Sequence, residues 1–197
     1  MPPAGAVRGA LGMQSYDYAH RQGVEEIGWE RFAGLAAGLA EELARAEVEV
    51  VVGIARAGLF PATAVACSLR CEFFPVRVTR RVADQVTFER PQWKVNVSPE
   101  VAGRRVTVID EIADSGETLA LVAGRARELG AAGVVTACLV SHSWAEPMPD
   151  VVALVTDALV LFPWDRRVYV AGEWRLHPEL AEALRMQGVD PRELGEG

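Results

Sequence analysis

The chain has 197 residues, half of them hydrophobic, which is enough for one α/β domain with a core and argues against disorder. Its formal net charge of -7 argues against non-specific binding to nucleic acid or to an anionic membrane. No stretch approaches the ~20 apolar residues that a membrane-spanning helix needs, and the start lacks a signal-peptide pattern, so we expect a cytoplasmic protein.

The cysteines also suggest the cytosol. Cys67, Cys71 and Cys138 have neither metal-site nor disulfide spacing, and they lie in apolar stretches. We therefore expect reduced core residues. Residues 1–13 are rich in Pro, Gly and Ala and are expected to form a flexible extension, which leaves 14–197 as a single domain.

The first predicted elements are a helix, a strand and a second helix. Apolar residues at helical spacing predict a helix over about 29–46. A strand over 48–55 then leads through Arg56, Ala57 and Gly58 into a helix that continues to about residue 69. Taken alone this strand–turn–helix segment is weak evidence of function, because many α/β proteins contain one.

A strand over 72–78 is followed by a long polar segment, 79–104. The segment contains Pro91 and Pro99 and has no clear periodicity. It is long for a plain connection, so a functional loop is the better interpretation.

The most informative stretch is 106–120. Residues 106–109 form a continuous apolar run, typical of a strand buried on both faces of a parallel sheet. Asp110 and Glu111 stand where that strand is expected to end. A small, turn-prone segment follows, and then a helix that Gly130 closes.

Each part of this stretch suits a ribose 5-phosphate. Free N–H groups at a helix start bind phosphate, Ser115 and Thr118 add hydroxyl donors, and Gly116 allows close approach of the backbone. Asp110 and Glu111 can accept hydrogen bonds from sugar hydroxyls or hold Mg²⁺. Two alternatives remain: an ATPase Walker B strand, although the chain has no Gly-x-x-x-x-Gly-Lys-Ser/Thr partner, and an ordinary α/β strand ending in Asp.

The stretch resembles the phosphoribosyl-pyrophosphate (PRPP) motif of type I phosphoribosyltransferases, nearest to the purine (hypoxanthine or xanthine-guanine) enzymes. The resemblance implies an α/β fold with a Rossmann-like parallel sheet flanked by helices and a small hood. It also implies Mg²⁺-dependent transfer of ribose 5-phosphate from PRPP to a nucleobase, with release of pyrophosphate. A 6-oxopurine is the expected acceptor, in purine salvage.

The resemblance assigns PRPP binding to one run of residues. These are Asp110, Glu111, Ala113, Asp114, Ser115, Gly116, Glu117 and Thr118. Asp114 would also be the general base, although an Asp at this place is equally a good helix N-cap. The expected metal ligands are Asp110, Glu111 and Asp165.

Pyrophosphate binding is assigned to two segments. Arg56, Ala57 and Gly58 match the family's pyrophosphate loop, with Ala57 where a Gly is usual. The segment 79–104 matches a mobile lid loop, in which Arg80, Arg81 and Lys94 would meet the pyrophosphate; the alternative is a solvated basic rim.

The base-binding hood is expected around 141–167, where Pro163-Trp164-Asp165 resembles the xanthine-guanine type. His142 stands where a Lys reads the 6-oxo group, and an imidazole can donate to a carbonyl. Leu159 stands where an aromatic ring stacks on the base, beside Val160. The alternatives are a surface histidine for His142 and core packing for Leu159.

A second function class stays open. The same fold serves regulators that sense PRPP or nucleotides without turnover, but residues 1–28 are short for a helix-turn-helix domain. The expected partners are PRPP and a nucleobase, with no nucleic acid and no membrane, and a homodimer is expected. Residues 174–186 predict a strand end and a helix that packs on the domain.

Overall fold

The structure, a computed structural model, describes residues 21, 23–79, 81–82, 85–86 and 91–190. Its helices are α1 Trp29–Arg45, α2 Leu59–Leu69, α3 Glu117–Glu128 and α4 Pro178–Met186, with a 3₁₀ turn at Pro99–Val101. Its strands are β1 Val24–Glu26, β2 Val50–Ile54, β3 Glu72–Thr79, β4 Arg81–Val82, β5 Gln85–Val86, β6 Gln92–Val95, β7 Arg105–Ala113, β8 Gly133–Ser141, β9 Val151–Val155, β10 Leu159–Leu161, β11 Arg167–Val170 and β12 Glu173–Leu176.

A six-stranded sheet in the order β6-β3-β2-β7-β8-β9 forms the centre of the fold. All neighbouring strands are parallel except for the edge pair of β6 with β3. Every residue of β2 is buried, as its unbroken apolar sequence predicts. Because all five parallel strands end at the same side, the loops after β2 and β7 meet there.

Helices cover both faces of the sheet, because successive side chains of a strand point to opposite faces. Val51 packs in one cluster with Leu39 of α1 and Val65 of α2. Val50 and Val52 pack on the opposite face in a cluster that includes Leu119 and Val122 of α3. This arrangement confirms the predicted α/β fold with a parallel sheet between helices.

The predicted end of α3 is confirmed in detail. Gly130 has φ +88°, which favours glycine, and its N–H donates to the Arg127 carbonyl at 2.9 Å. The Ala131 N–H donates to the Ala126 carbonyl at 3.1 Å. Both bonds of a Schellman motif are therefore present.

A smaller unit packs beside the sheet, and we call β1, β10, β11, β12 and α4 the outer unit. Strand β1 pairs in parallel with β10, and the β11–β12 hairpin leads into α4. A third hydrophobic cluster joins β10 to α4. The strand at Val24–Glu26 was not predicted, since three residues carry no usable periodicity.

The structure changes several boundaries. Strand β7 continues through Asp110 to Ala113, because Asp110, Ile112 and Ala113 pair with β8. The segment 79–104 contains strand β6 and the 3₁₀ turn rather than an irregular loop throughout. Strand β6 forms there because it pairs with β3.

The next expectations concern the cysteines and the N-terminal extension. Cys138 is buried, but Cys67 is exposed on α2, so the expectation that all three cysteines lie in the core is wrong for Cys67. The expected extension, 1–13, lies outside the described residues. None of the helices in the described ranges combines the length and apolar character needed to cross a membrane.

Candidate functional site

The two strand–turn–helix segments of the sequence come together in one place. Strands β2 and β7 are neighbours, with Gly53 paired to Ile109. The loop after β2 therefore packs on the acids of β7: a Cβ atom on Gly58 would lie 2.6 Å from Asp110 Oδ1 and 2.9 Å from Asp110 Cα. Only a residue without a side chain allows this approach, which explains the glycine at position 58.

Asp110 and Glu111, which we call the acid pair, have unusual electrostatics. Burial, followed by the charge of Glu111 and a hydrogen bond with it, raises the pKa of Asp110 well above its ordinary value. The Glu111 N–H donates to Asp110 Oδ1 at 3.0 Å and opposes this shift. Two adjacent carboxyls of this kind are suited to a cation or to hydroxyl donors.

Residues 113–118, which we call the phosphate loop after the ligand that the sequence analysis predicts for it, are held by the loop that follows β8. Gly116 is the N-cap of α3 with φ +79°, and a Cβ there would lie 2.2 Å from the Pro147 carbonyl oxygen. The Glu146 N–H donates to the Ser115 carbonyl at 3.1 Å. Ser115, Glu117 and Thr118 are exposed, so the start of α3 faces solvent.

Asp114 does not cap α3, and the N-cap alternative for it is wrong, because Gly116 takes that position without a side-chain bond. Instead Asp114 Oδ1 accepts hydrogen bonds from Arg21 Nη2 at 2.8 Å and from Trp144 Nε1 at 3.4 Å. The Asp114 side chain is 48% exposed, whereas that of Arg21 is 2% exposed. The carboxylate thus lies at the edge of a site with a buried cation behind it.

Sequence reasoning missed Arg21 and Trp144 as site residues. The Arg21 guanidinium lies 4.9 Å from the Trp144 ring centroid, a cation–π distance. Trp144 directly follows the predicted His142-Ser143 segment, so an indole beside a candidate base-reading residue was an available signal. Arg21 lies far from both motifs in sequence and gave none.

His142 is fully buried, so the surface-histidine alternative is wrong. Its Nδ1 lies 2.6 Å from the Thr156 carbonyl oxygen, and its ring stacks on Trp144 with centroids 4.6 Å apart. Burial is the main cause that lowers the pKa of His142. A neutral ring must place its hydrogen on Nδ1 to bond a carbonyl, so Nε2 carries a lone pair.

This tautomer changes the expected chemistry of His142. Within the described residues Nε2 is buried and has no hydrogen-bond partner. A lone pair accepts and cannot donate to a 6-oxo group. The neutral ring is therefore suited to an N–H group, and the expectation of a donor to a carbonyl does not fit it.

The other two predicted base contacts lie on β10. Leu159 is 5% exposed and packs in the outer unit with Leu180 and Leu184 of α4. Val160 is half-buried and packs against the cluster of α1 and α2. The structure thus places Leu159 in a core and not on a surface open to a base, as its alternative interpretation holds.

The predicted pyrophosphate contacts are only partly described. Arg56 is exposed and Ala57 half-buried in the loop after β2, where the Ala55–Arg56 peptide bond is cis. Lys94 is exposed on β6. Arg80 lies outside the described residues, and of Arg81 only the backbone in β4 is described.

Asp165 lies in the segment after β10. The neighbouring Trp164 ring stacks on Phe60 of α2 at 4.2 Å and on Phe162 at 4.9 Å, which fixes this segment against α2. Within the described ranges no three His, Cys, Asp or Glu side chains are grouped to hold a metal ion. The structure does not bring Asp165 and the acid pair together as a three-ligand site.

Comparison with known proteins identifies the same family that the sequence motifs resemble. Residues 25–170 match the family model of the phosphoribosyl transferase domain. No curated protein sequence matches the chain.

Solved structures with similar folds include a purine phosphoribosyltransferase from Pyrococcus horikoshii, 27% identical, with a TM-score of 0.65 over 72% of this chain and 93% of that one. A hypothetical protein from Neisseria gonorrhoeae with bound ppGpp is 21% identical, with a TM-score of 0.62 over 86% and 98%. A Helicobacter pylori xanthine-guanine-hypoxanthine phosphoribosyltransferase is 16% identical, with a TM-score of 0.59 over 72% and 91%. The last two likenesses concern the fold alone.

Proposed function

Since the chain belongs to the phosphoribosyl transferase family and is a transferase, we propose that it transfers ribose 5-phosphate from PRPP to a 6-oxopurine and releases pyrophosphate. The observation that carries the proposal is the contact between Gly58 and Asp110. It joins the loop after β2 to the acid pair, while β7 continues from that pair into the phosphate loop. Sites for diphosphate, ribose and phosphate are thereby contiguous.

Each part of PRPP has a matching group. Its 5-phosphate would bind the exposed start of α3, where backbone N–H groups, Ser115 and Thr118 supply donors. The acid pair would accept hydrogen bonds from the ribose hydroxyls. Arg56 and the backbone at Gly58 would hold the diphosphate.

Mg²⁺ fits the acid pair, because it commonly takes one or two carboxylates and completes its shell with water and substrate oxygens. When bound, the ion would neutralise charge on the leaving pyrophosphate. Asp165 remains a predicted ligand of the ion.

The proposed reaction breaks one bond at C1 of the ribose, forms another there, and transfers one proton to Asp114. The C1–O bond to pyrophosphate breaks and a C1–N bond to the base forms, while the base nitrogen gives its proton to Asp114. Positive charge that develops on the ribose lies near carboxylates, and each close pair is worth about 4 kcal/mol at 4 Å if the effective dielectric constant is near 20.

The state of His142 suggests how the base is read. A 6-oxopurine carries an N–H at N1 beside its C6 carbonyl, and the Nε2 lone pair can accept from that N–H. Trp144 covers the imidazole, so the indole would have to shift for the base to reach it. Adenine presents an amino donor at the neighbouring position, which makes it the informative competitor.

The test measures pyrophosphate release from Mg²⁺ and PRPP with hypoxanthine, guanine, xanthine, adenine and pyrimidine bases. We expect release with a 6-oxopurine and a loss of ~10²–10⁴ in rate for Asp114→Asn. Release with no base, while PRPP still raises the melting temperature, would favour the sensing protein instead. No binding of PRPP would overturn the proposal.

Two further expectations accompany this function, a homodimer and a cytoplasmic place in purine salvage. Light scattering of the purified chain tests the first: a monomer at all concentrations would contradict it. Growth of a purine-requiring host on supplied hypoxanthine tests the second.

A further inference from the structure

We propose that Arg21 is a positioning residue that fixes one oxygen of Asp114 and leaves the other for the incoming base. The proposal rests on the proposed function, because it assumes that Asp114 accepts a proton from the acceptor. It adds a residue from outside both sequence motifs to the site.

The hydrogen bonds of Asp114 are divided unequally between its two oxygens. Oδ1 accepts from Arg21 Nη2 at 2.8 Å and from Trp144 Nε1 at 3.4 Å. Oδ2 has no hydrogen bond in the part of the chain that the structure describes. Since nearly half of the Asp114 side chain is exposed, a base that enters from solvent can meet Oδ2 without displacing Arg21 from Oδ1.

Arg21 is itself held in place from several directions. Its side chain is almost fully buried, and a buried cation is tolerated only when it is paired. The Gln187 side chain, just after α4, donates from Nε2 to the Arg21 carbonyl at 2.7 Å and accepts from the Gly23 N–H at 3.3 Å. Val24, the residue after Gly23, begins the pairing of β1 with β10. The backbone from which the Arg21 side chain extends is thus fixed, and burial confines the guanidinium beside the carboxylate.

A fixed carboxylate matters because proton transfer needs the base oxygen within hydrogen-bond reach of the acceptor nitrogen. Asp114 and the neighbouring Ser115 are exposed, and a free side chain there would sample several rotamers. Holding Oδ1 removes that freedom before the base binds. We therefore expect Arg21 to act on kcat more than on the KM for the base.

Arg21 could also have the opposite role, that of a group that competes with the incoming base. A planar guanidinium over Trp144 that donates to Asp114 resembles a bound base, so Arg21 would then be a competitor that the acceptor must displace. Removing such a competitor would lower the KM for the base without lowering kcat. The two roles predict changes in different kinetic constants.

The experiment compares Arg21→Gln, Arg21→Lys and Trp144→Phe with the wild type in the pyrophosphate-release assay. We expect Arg21→Gln to lower kcat by about 10- to 100-fold with little change in KM. Arg21→Lys keeps the positive charge but lacks the planar set of guanidinium donors, so its kcat should lie between those of Arg21→Gln and the wild type. Trp144→Phe removes only the second donor to Oδ1 and should lower kcat less.

Arg31→Gln is the matched control. Arg31 of α1 also contacts the region of β1, by bonds to the Glu25 carboxylate and, at 3.2 Å, to the Glu26 carbonyl, but it does not touch Asp114. We expect its kinetics to equal those of the wild type. PRPP binding by every variant, measured calorimetrically, shows whether the fold is kept.

A double-mutant cycle gives the decisive comparison. In an Asp114→Asn background, Arg21→Gln should change the residual rate by less than about twofold, because its effect passes through Asp114. An equal loss in both backgrounds, an unchanged kcat, or a lower KM alone would overturn this proposal while the transferase stands. Should Arg21→Gln fail to fold, an unchanged kcat in Trp144→Phe would overturn it instead. A wild type without turnover would overturn the proposed function first.

Discussion

A Cβ atom on Gly58 would lie 2.6 Å from Asp110 Oδ1, a distance that real side chains essentially never show. The loop after β2 and the acid pair of β7 are therefore built as one unit. A methyl group at position 58 would have to push apart two backbones, since the Ile54 carbonyl oxygen also lies 2.6 Å away.

The first prediction concerns this contact. Gly58→Ala should destabilise the fold by about 1–3 kcal/mol through overpacking and should weaken PRPP binding, measured by urea unfolding and calorimetry. Gly38→Ala is the control, because a Cβ there meets nothing within 4 Å and lies in helix α1. It should be neutral or stabilising by ~0.5–1 kcal/mol. Equal effects of the two changes would contradict the close packing at Gly58.

The second prediction separates backbone conformation from close contact. Gly116 and Gly130 both have positive φ, but a Cβ on Gly116 would lie 2.2 Å from the Pro147 carbonyl oxygen, whereas one on Gly130 would meet only Ala102 Cβ at 4.0 Å. Gly130→Ala should cost about 1–2 kcal/mol of folding free energy. Gly116→Ala should cost more and should also abolish PRPP binding, which Gly130→Ala should keep. Retained binding in Gly116→Ala would show that the phosphate does not use this loop.

The third prediction is a pH dependence. Burial lowers the pKa of His142 below its ordinary 6.5, so the unfolded chain binds the proton more readily. The stability that neutral His142 provides is therefore complete above pH 6.5 and is lost as the pH falls through the lower pKa of the folded state. His142→Asn keeps a donor for the Thr156 carbonyl without this titration.

The measurement is the free energy of unfolding in urea at about pH 8 and about pH 5.5, on either side of the ordinary histidine range. We expect the wild type to lose more stability between these values than His142→Asn does. Carboxylates titrate in both proteins and cancel in the comparison. Identical losses would mean that His142 is protonated as easily in the folded chain as in the unfolded one.

The fourth prediction concerns the thiols. Burial, followed by the charge of Asp110, raises the pKa of Cys138 to about 12, while Cys67 is exposed on α2. An alkylating reagent should therefore label Cys67 in the native protein and Cys138 only after unfolding. Peptide mass mapping after brief labelling gives the answer, with Cys67→Ser as the control. Early labelling of Cys138 would place it at an accessible surface.

The central sheet and the phosphate loop could be predicted because their signals are local. A continuous apolar strand, two acids, a glycine turn and a helical pattern lie within one stretch, and Gly130 ends α3 as its position suggests. The end of β7 could not be predicted, since the acids join the strand only because β8 offers partners for Asp110 and Ala113.

The interior of the candidate site was harder to predict for a different reason. Arg21 and Asp114 are 93 residues apart, and no sequence pattern records that distance. The tautomer of His142 depends on the Thr156 carbonyl, a backbone group that any residue supplies. Leu159 was assigned by its alignment with an aromatic position, whereas burial against α4 decides its contacts.

The parallel pairing of β1 with β10 has a consequence for biosynthesis. Arg21 and β1 leave the ribosome early, whereas Gln187, which donates to the Arg21 carbonyl, is translated 166 residues later, and β10 also follows the strands of the central sheet. The sheet strands β2, β3, β7 and β8 all precede β10 and α4 in the chain, so their partners are available before the outer unit is complete. Arg21 is fixed beside Asp114 only after β10 and α4 have been made, so a nascent chain in which loop 113–118 has already formed still lacks this support of Asp114.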